Sequence, residues 1–279
     1  MISNSTHIAA VKRNHAFSRV LFVLSCGICV LPAAADDAEL AKQALNPIAA
    51  LVSLPMQLNY DENIGPAEQG EKWQLNVQPV IPFSIGADWN LISRSIVPLV
   101  NQQDVVPGAG TDSGVGDITQ SFFFSPKKPT ASGWIWGAGP VLLLPTGSED
   151  RLTADKWGLG PTAVVLRQAN GWTVGALANH IWSVAGDDDR RDISATFLQP
   201  FLSYTTKTLT SFTVNTESTY DWKTEQWSVP INFTVSQMLK VGNQPLTIQG
   251  GVRYWADSPD GAGPEGWGFR LAVTFLFPK

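Results

Sequence analysis

KWQLNVQPVIPFSI, residues Lys72–Ile85, alternates with a period of two. Trp73, Leu75, Val77, Pro79, Ile81, Phe83 and Ile85 share one face, while Lys72, Gln74, Asn76 and Gln78 open the other. Successive side chains of a strand point to opposite faces, so this stretch is a strand with one oily and one wet side. The C-terminus repeats the pattern: Trp267, Phe269, Leu271, Val273, Phe275 and Phe277 alternate with Gly268, Arg270, Ala272 and Thr274. Between Thr210 and Trp222, Phe212, Val214 and Tyr220 oppose Asn215, Glu217, Thr219 and Asp221.

Twelve such segments follow one another, at 55–64, 72–85, 88–100, 114–125, 133–146, 157–168, 172–184, 193–206, 210–222, 226–238, 245–256 and 267–277. Each is long enough for a tilted strand to cross a bilayer. The third, fifth and sixth are apolar on both faces for several residues. Short connections, such as Gly86-Ala87, Ala169-Asn170-Gly171 and Lys207-Thr208-Leu209, alternate with longer polar ones such as GSEDRLTADK and AGDDDRRD. The turn PKKPTAS and the link KTEQ fit that alternation less well. The pattern predicts an all-β, transmembrane, antiparallel up-and-down barrel of about 12 strands over residues 55–279, with both termini on the periplasmic side.

Residues 1–35 read as a secretory signal peptide. Lys12, Arg13 and Arg19 precede the apolar VLFVLSCGICVLP, and Ala33-Ala34-Ala35 supplies the cleavage pattern. A lipid attachment box at Cys26 is the less favoured reading, because too short an apolar stretch precedes it. Cleavage removes both cysteines and no acid, leaving 16 Lys and Arg against 24 Asp and Glu, a net charge of −8. That balance argues against nucleic acid as a partner. No later segment is a run of apolar residues long enough for a spanning helix. Residues 36–54 form a short helix-compatible segment, broken near Pro47, that could plug the lumen or lie against the periplasmic rim.

Eleven Trp are many for so weakly charged a chain. All fall near ends of the expected strands: Trp89, Trp134, Trp136 and Trp172 at the periplasmic ends, and Trp73, Trp157, Trp182, Trp222, Trp227, Trp255 and Trp267 at the extracellular ends. Two aromatic belts at the membrane interfaces are the expectation, whereas a soluble sandwich would carry its aromatics mid-strand. Eight prolines, Pro79, Pro82, Pro98, Pro140, Pro145, Pro161, Pro200 and Pro230, also fall inside these segments. Each removes a ladder donor. Strand ends and bulges are the plainer explanation. A wall left unpaired, with a lateral exit for a hydrophobic solute, is the alternative.

NPIAALVSLP, WNLISRSIVPLV, GWIWGAGPVLLLPT, KWGLGPTAVVL, GALANHIWSVAG, ATFLQPFLSYTT, TESTYDW and GFRLAVTFLFPK resemble a family of Gram-negative outer-membrane proteins. The family is described as related to a protein of the meta pathway of phenol degradation, and its members are often labelled transporters or, mistakenly, neuromedin U. The resemblance implies an outer-membrane barrel that passes small molecules, aromatic or hydrophobic ones among them. It supplies no catalytic motif. Separately, Arg270-x-Ala272-x-x-Phe275-x-Phe277 resembles the C-terminal signal by which such barrels engage their assembly machinery, with Ala where Gly is preferred.

The wet faces line the lumen in this reading. Strand 1 contributes Gln57, Asn59, Asp61 and Asn63; strands 2 and 3 contribute Gln74, Asn76, Gln78, Asn90 and Arg94. Asp117, Asn215, Glu217, Asp221, Asn232, Thr234, Gln249, Arg253 and Arg270 come from later strands. Opposed charges inside a barrel can orient a polar solute or can hold the wall together. Arg94 and Glu217 fall nearest mid-strand and are the first constriction candidates. His180 is the one histidine of the mature chain, and Ser183, three residues on, points to the opposite face, so no Ser–His catalytic pair is marked. Asp187-Asp188-Asp189 is neutralised by Arg190-Arg191 and reads as a solvated loop rather than a metal site. No cofactor, metal or catalytic residue is expected. The expected function is an outer-membrane channel for small molecules, set against a structural or adhesion barrel and, more distantly, a barrel lipase or esterase.

Overall fold

The computed structural model describes residues 35–278. The expected signal peptide, apart from its last residue, and Cys26 lie outside these. One helix, α1 (Ala35–Ala44), precedes the strands β1 (Val52–Ile64), β2 (Gly70–Val77), β3 (Val80–Ile85), β4 (Trp89–Gln103), β5 (Thr111–Val115), β6 (Ile118–Pro126), β7 (Trp134–Leu144) and β8 (Lys156–Ala169). There follow β9 (Trp172–Gly186), β10 (Ser194–Thr205), β11 (Thr210–Thr216), β12 (Ser218–Asp221), β13 (Gln226–Val241), β14 (Gln244–Asp257) and β15 (Gly266–Phe277).

These fifteen segments make twelve staves of one antiparallel barrel. Three staves are interrupted: β2 with β3, β5 with β6, and β11 with β12. Sequential staves pair throughout, and β1 pairs with β15 from Val52↔Phe277 to Tyr60↔Phe269, which closes the wall. One end carries tight turns. Asn170-Gly171, both at positive φ, forms the two-residue hairpin that needs left-handed residues. The other end carries the loops 104–110, 145–155, 187–193 and 258–265.

The two-residue period sorts the wall as the sequence predicts. Trp73, Ile81, Phe83, Leu271 and Phe277 are exposed on the outer face, while Gln78 and Arg270 are buried inside. Ten of the Trp are exposed on the outside. Trp255 is the correction. Its neighbours Val252 and Tyr254 are exposed, and Trp255 points inward, where its Nε1 donates to Asp61 Oδ1 at 2.8 Å.

The prolines mark the interruptions. Pro79 lies between β2 and β3, and its carbonyl accepts from Ser95 N at 3.2 Å. Pro82 lies past Val80, the one residue of β3 that pairs with β1. Pro98 faces the gap between β5 and β6, where its carbonyl accepts from Gly116 N at 2.8 Å. Pro145 follows the end of β7. Pro200 and Pro230 flank the gap at Glu217 from either side, and Pro230 also sits at a bulge against β14. Pro140 pairs with Pro161 across an unbroken β7–β8 ladder. Their other neighbours, Phe122 and His180, drop out of the ladders β6–β7 and β8–β9. The two missing N–H groups therefore face away from each other. Gly139 and Gly160 let the backbones close up there, because a Cβ on either would overlap the carbonyl of Phe122 or His180. The lateral-exit alternative rested on ladders between the second and third and the fifth and sixth staves. The latter is continuous, and the former keeps its register across the Gln78-Pro79 break.

The inner face changes character along the barrel axis. At the tight-turn end, Val80, Ile92, Phe123, Val164, Leu166 and Leu177 point inward and pack around Ile48. Ala41, Ala49 and Leu51 pack on Leu209, Met238 and Leu276. This is why the third, fifth and sixth segments read as apolar on both faces: one face meets the exterior and the other receives residues 41–51.

Candidate functional site

A belt of polar side chains crosses the lumen above that apolar zone. Glu217 occupies the gap between β11 and β12. Its carboxylate accepts from Arg270 Nη1 at 2.9 Å and Nη2 at 2.6 Å, and from Gln199 Nε2 at 3.4 Å. Arg270 Nε donates to Asn59 Oδ1 at 2.8 Å. Arg270 is 2% exposed, so this fork-to-fork pair saturates a buried guanidinium. Because β13 and β14 separate its two staves in the wall, the pair spans a chord of the lumen.

Glu217 lines a cavity on each side of this chord. The one toward the tight turns, about 220 Å³, is also bounded by Arg94, Gln78, Asn215, Arg270 and residues 41–47. There Arg94 Nη2 donates to Gln78 Oε1 at 2.8 Å, and Asn232 Nδ2 donates to Asn215 Oδ1 at 2.9 Å. The other cavity, about 630 Å³, opens toward the long loops and is bounded by Asp61, Lys72, Gln74, Asn76, Arg253 and Trp255, among others. Gln74 Nε2 donates to Asn76 Oδ1 at 2.9 Å. Arg253 Nε lies 3.3 Å from Asp61 Oδ1, and its guanidinium stands 4.6 Å from the Trp255 ring centre.

Two of the expected lumen residues sit elsewhere. Asp117, between β5 and β6, accepts from the backbone N–H groups of Thr146, Gly147 and Ala154 at 3.1, 3.0 and 2.7 Å. It latches the β7–β8 loop to the wall rather than joining the belt. Asp221 accepts from Arg191 Nη2 and from the N–H groups of Lys223 and Thr224, holding the turn after β12. The sequence did not mark Trp255, Gln199 or Lys72 as site residues. Strict parity along β14, with Val252 and Tyr254 outward, is the signal that places Trp255 inside.

His180 faces outward with Trp182, their ring centres 4.1 Å apart. Its Nδ1 lies 2.7 Å from Thr196 Oγ1, which also accepts from Trp222 Nε1 at 2.8 Å. Ser194 Oγ lies 3.4 Å from Nε2, a serine that the sequence reading did not single out. The ring packs against Trp182, and a hydroxyl stands where a hydrolase triad places its orienting carboxylate or amide.

A model of the family described as "Putative MetA-pathway of phenol degradation" matches residues 75–279. No curated protein sequence matches the chain. Among solved structures, an outer membrane channel from Pseudomonas putida F1 aligns with a TM-score of 0.65 and 16% identity, covering 82% of this chain and 96% of that one. The NanC porin aligns with a TM-score of 0.50 and 10% identity, covering 80% and 98%. These likenesses establish the fold. Outer membrane phospholipase A from Escherichia coli aligns at a TM-score of 0.45 and 12% identity, covering 87% and 97%, too distant to bear on activity.

Proposed function

The chain belongs to the family described as putative MetA-pathway of phenol degradation, and from that premise we propose that it is an outer-membrane channel passing small molecules through its polar lumen. The observation that carries this reading is the pair of cavities joined at Glu217 inside a closed barrel with an apolar exterior.

In this reading the long loops face the outside of the cell and the tight turns face the periplasm. The ten outward Trp form the interfacial belts. The C-terminal strand is the handle for the assembly machinery. Residues 41–51 act as a periplasmic plug, seated on the apolar inner ring and tied to β8 by the bond from Gln168 Nε2 to the Lys42 carbonyl, 2.8 Å. Small solutes enter the outer cavity and pass the Glu217–Arg270 chord when the plug shifts.

Conductance of the purified full chain in planar bilayers tests the proposal. Discrete channel openings are expected. Silence in the bilayer, together with unchanged solute uptake when the protein is deleted from its host, would favour the structural barrel. Hydrolysis is not part of this function, so His180→Ala is expected to leave conductance unaltered, and purified protein is expected not to cleave phospholipid.

A further inference from the structure

The outer cavity joins two chemistries that the conduction pathway alone does not require. One side is cationic and incompletely partnered. The Arg253 side chain is 9% exposed, and its Nε is buried with no hydrogen-bond partner. Its ion-pair partner is Asp61, whose Oδ1 already accepts from Trp255 Nε1, and the other carboxylate on its side of the cavity, Glu217, is taken up by both terminal nitrogens of Arg270. Lys72 lines the same cavity and, among the described residues, makes no side-chain hydrogen bond or ion pair. Arg270, a few ångströms of wall away on the next stave, has every guanidinium nitrogen engaged. Leaving a buried guanidinium part-satisfied is costly, and a carboxylate matches its donors in geometry and charge.

Next to the cations the wall turns apolar. The Trp255 ring, with the Arg253 guanidinium 4.6 Å from its centre, borders the cavity, and Ile64, Val105 and Pro264 continue that wall. A volume of about 630 Å³ falls within the roughly 300–1,000 Å³ of small-molecule sites. An inorganic anion would use only the cations, and a neutral aromatic only the wall.

We propose that this cavity binds a small organic anion, a carboxylate on an aromatic-sized apolar body, with Lys72 and Arg253 taking the carboxylate and Trp255 the body. The proposal rests on the channel reading for how the ligand moves on, and not for its binding.

Calorimetric titration of the full chain in non-ionic detergent at low ionic strength tests it, with benzoate, acetate, benzyl alcohol and benzylammonium as probes. Benzoate is expected to bind at least ten-fold more tightly than acetate or benzyl alcohol, with benzylammonium weakest. Arg253→Gln is expected to weaken benzoate at least ten-fold. Trp255→Leu is expected to abolish the preference for benzoate over acetate. The proposal fails if native protein binds benzoate no more tightly than the single-feature probes. It also fails if Arg253→Gln, folded by circular dichroism, binds benzoate as the native protein does. Lys72→Gln carries the same criterion should the arginine variant not fold. Benzoate binding by a protein silent in bilayers and without effect on solute uptake would sink the channel reading alone, and a conducting protein without this preference would sink the site alone.

Discussion

Glu217 and Arg270 hold the lumen's centre through charge that neither residue could bear alone. Removing one partner of a buried, hydrogen-bonded ion pair typically costs about 3–5 kcal/mol, because the other charge is stranded, whereas replacing both with apolar residues is often neutral. Glu217→Gln is therefore expected to lower the unfolding free energy of the reconstituted barrel by up to about 3–5 kcal/mol, and the Glu217→Met/Arg270→Met double variant to recover most of it. Urea titration of protein in lipid vesicles reads both. A second pair sits outside the membrane. Lys156 Nζ, 3.2 Å from Asp192 Oδ1, holds the Asp192 carboxyl below the usual carboxylate range, helped by a hydrogen bond from Ser183. A depressed value means that the anchor is fully present above the ordinary carboxylate pKa of about 3.9 and is lost as pH falls through the lowered one. Protease nicking within 187–193 is thus expected to stay flat from neutral pH to about pH 4, and to rise below that or on Asp192→Asn. Arg94 and Glu217 were legible as mid-barrel charges, because period two and distance from the strand ends are local properties. Trp255 was not, because a Trp near a strand end reads equally as belt or lumen until its neighbours' parity is counted.

The twelve staves were legible because most carry their own alternation and turn-forming connections set off the rest, and their bounds match the structure to within a few residues. The three interruptions were not. Whether a proline's missing N–H faces a neighbour or a gap depends on register with another stave, which no single segment contains. Gly160→Val tests the closest of these approaches. The added side chain has no room against the His180 carbonyl, and overpacking of this kind costs about 1–3 kcal/mol. Less folded, heat-modifiable barrel is expected on gels, whereas Gly242→Ala, at a turn with open space around it, should be milder. The plug makes an element-scale prediction of its own. Ile48→Asp puts a charge among Val80, Ile92, Phe123 and Leu166, so residues 41–51 should leave that ring and mean conductance should rise several-fold, with trypsin gaining access at Lys42. Unchanged conductance would remove the plug from the mechanism.

At the scale of the molecule, charge is segregated. The chain is acidic, yet the staves bring Lys72, Arg94, Arg253 and Arg270 to the two cavities against Asp61 and Glu217. Fixed charge in a narrow passage sets which ions enter. The reversal potential in a potassium chloride gradient is expected to report preference for chloride, and a Lys72→Gln/Arg94→Gln variant to lose it. The wall also implies a schedule. Every pairing between staves joins neighbours in sequence except the β1–β15 seam, where Val52 meets Phe277. Local hairpins form quickly, while contacts between distant parts of a chain wait on loop closure. The seam is then the last ladder to zip, because it joins the two strands farthest apart in sequence. Residues 41–51 run directly into β1 and pack on Leu276 of β15, so the same short stretch stands on both sides of the join. It is placed to act as a splint, bringing first and last strands together before their hydrogen bonds exist, and a chain truncated before Leu276 should remain an open, protease-sensitive sheet.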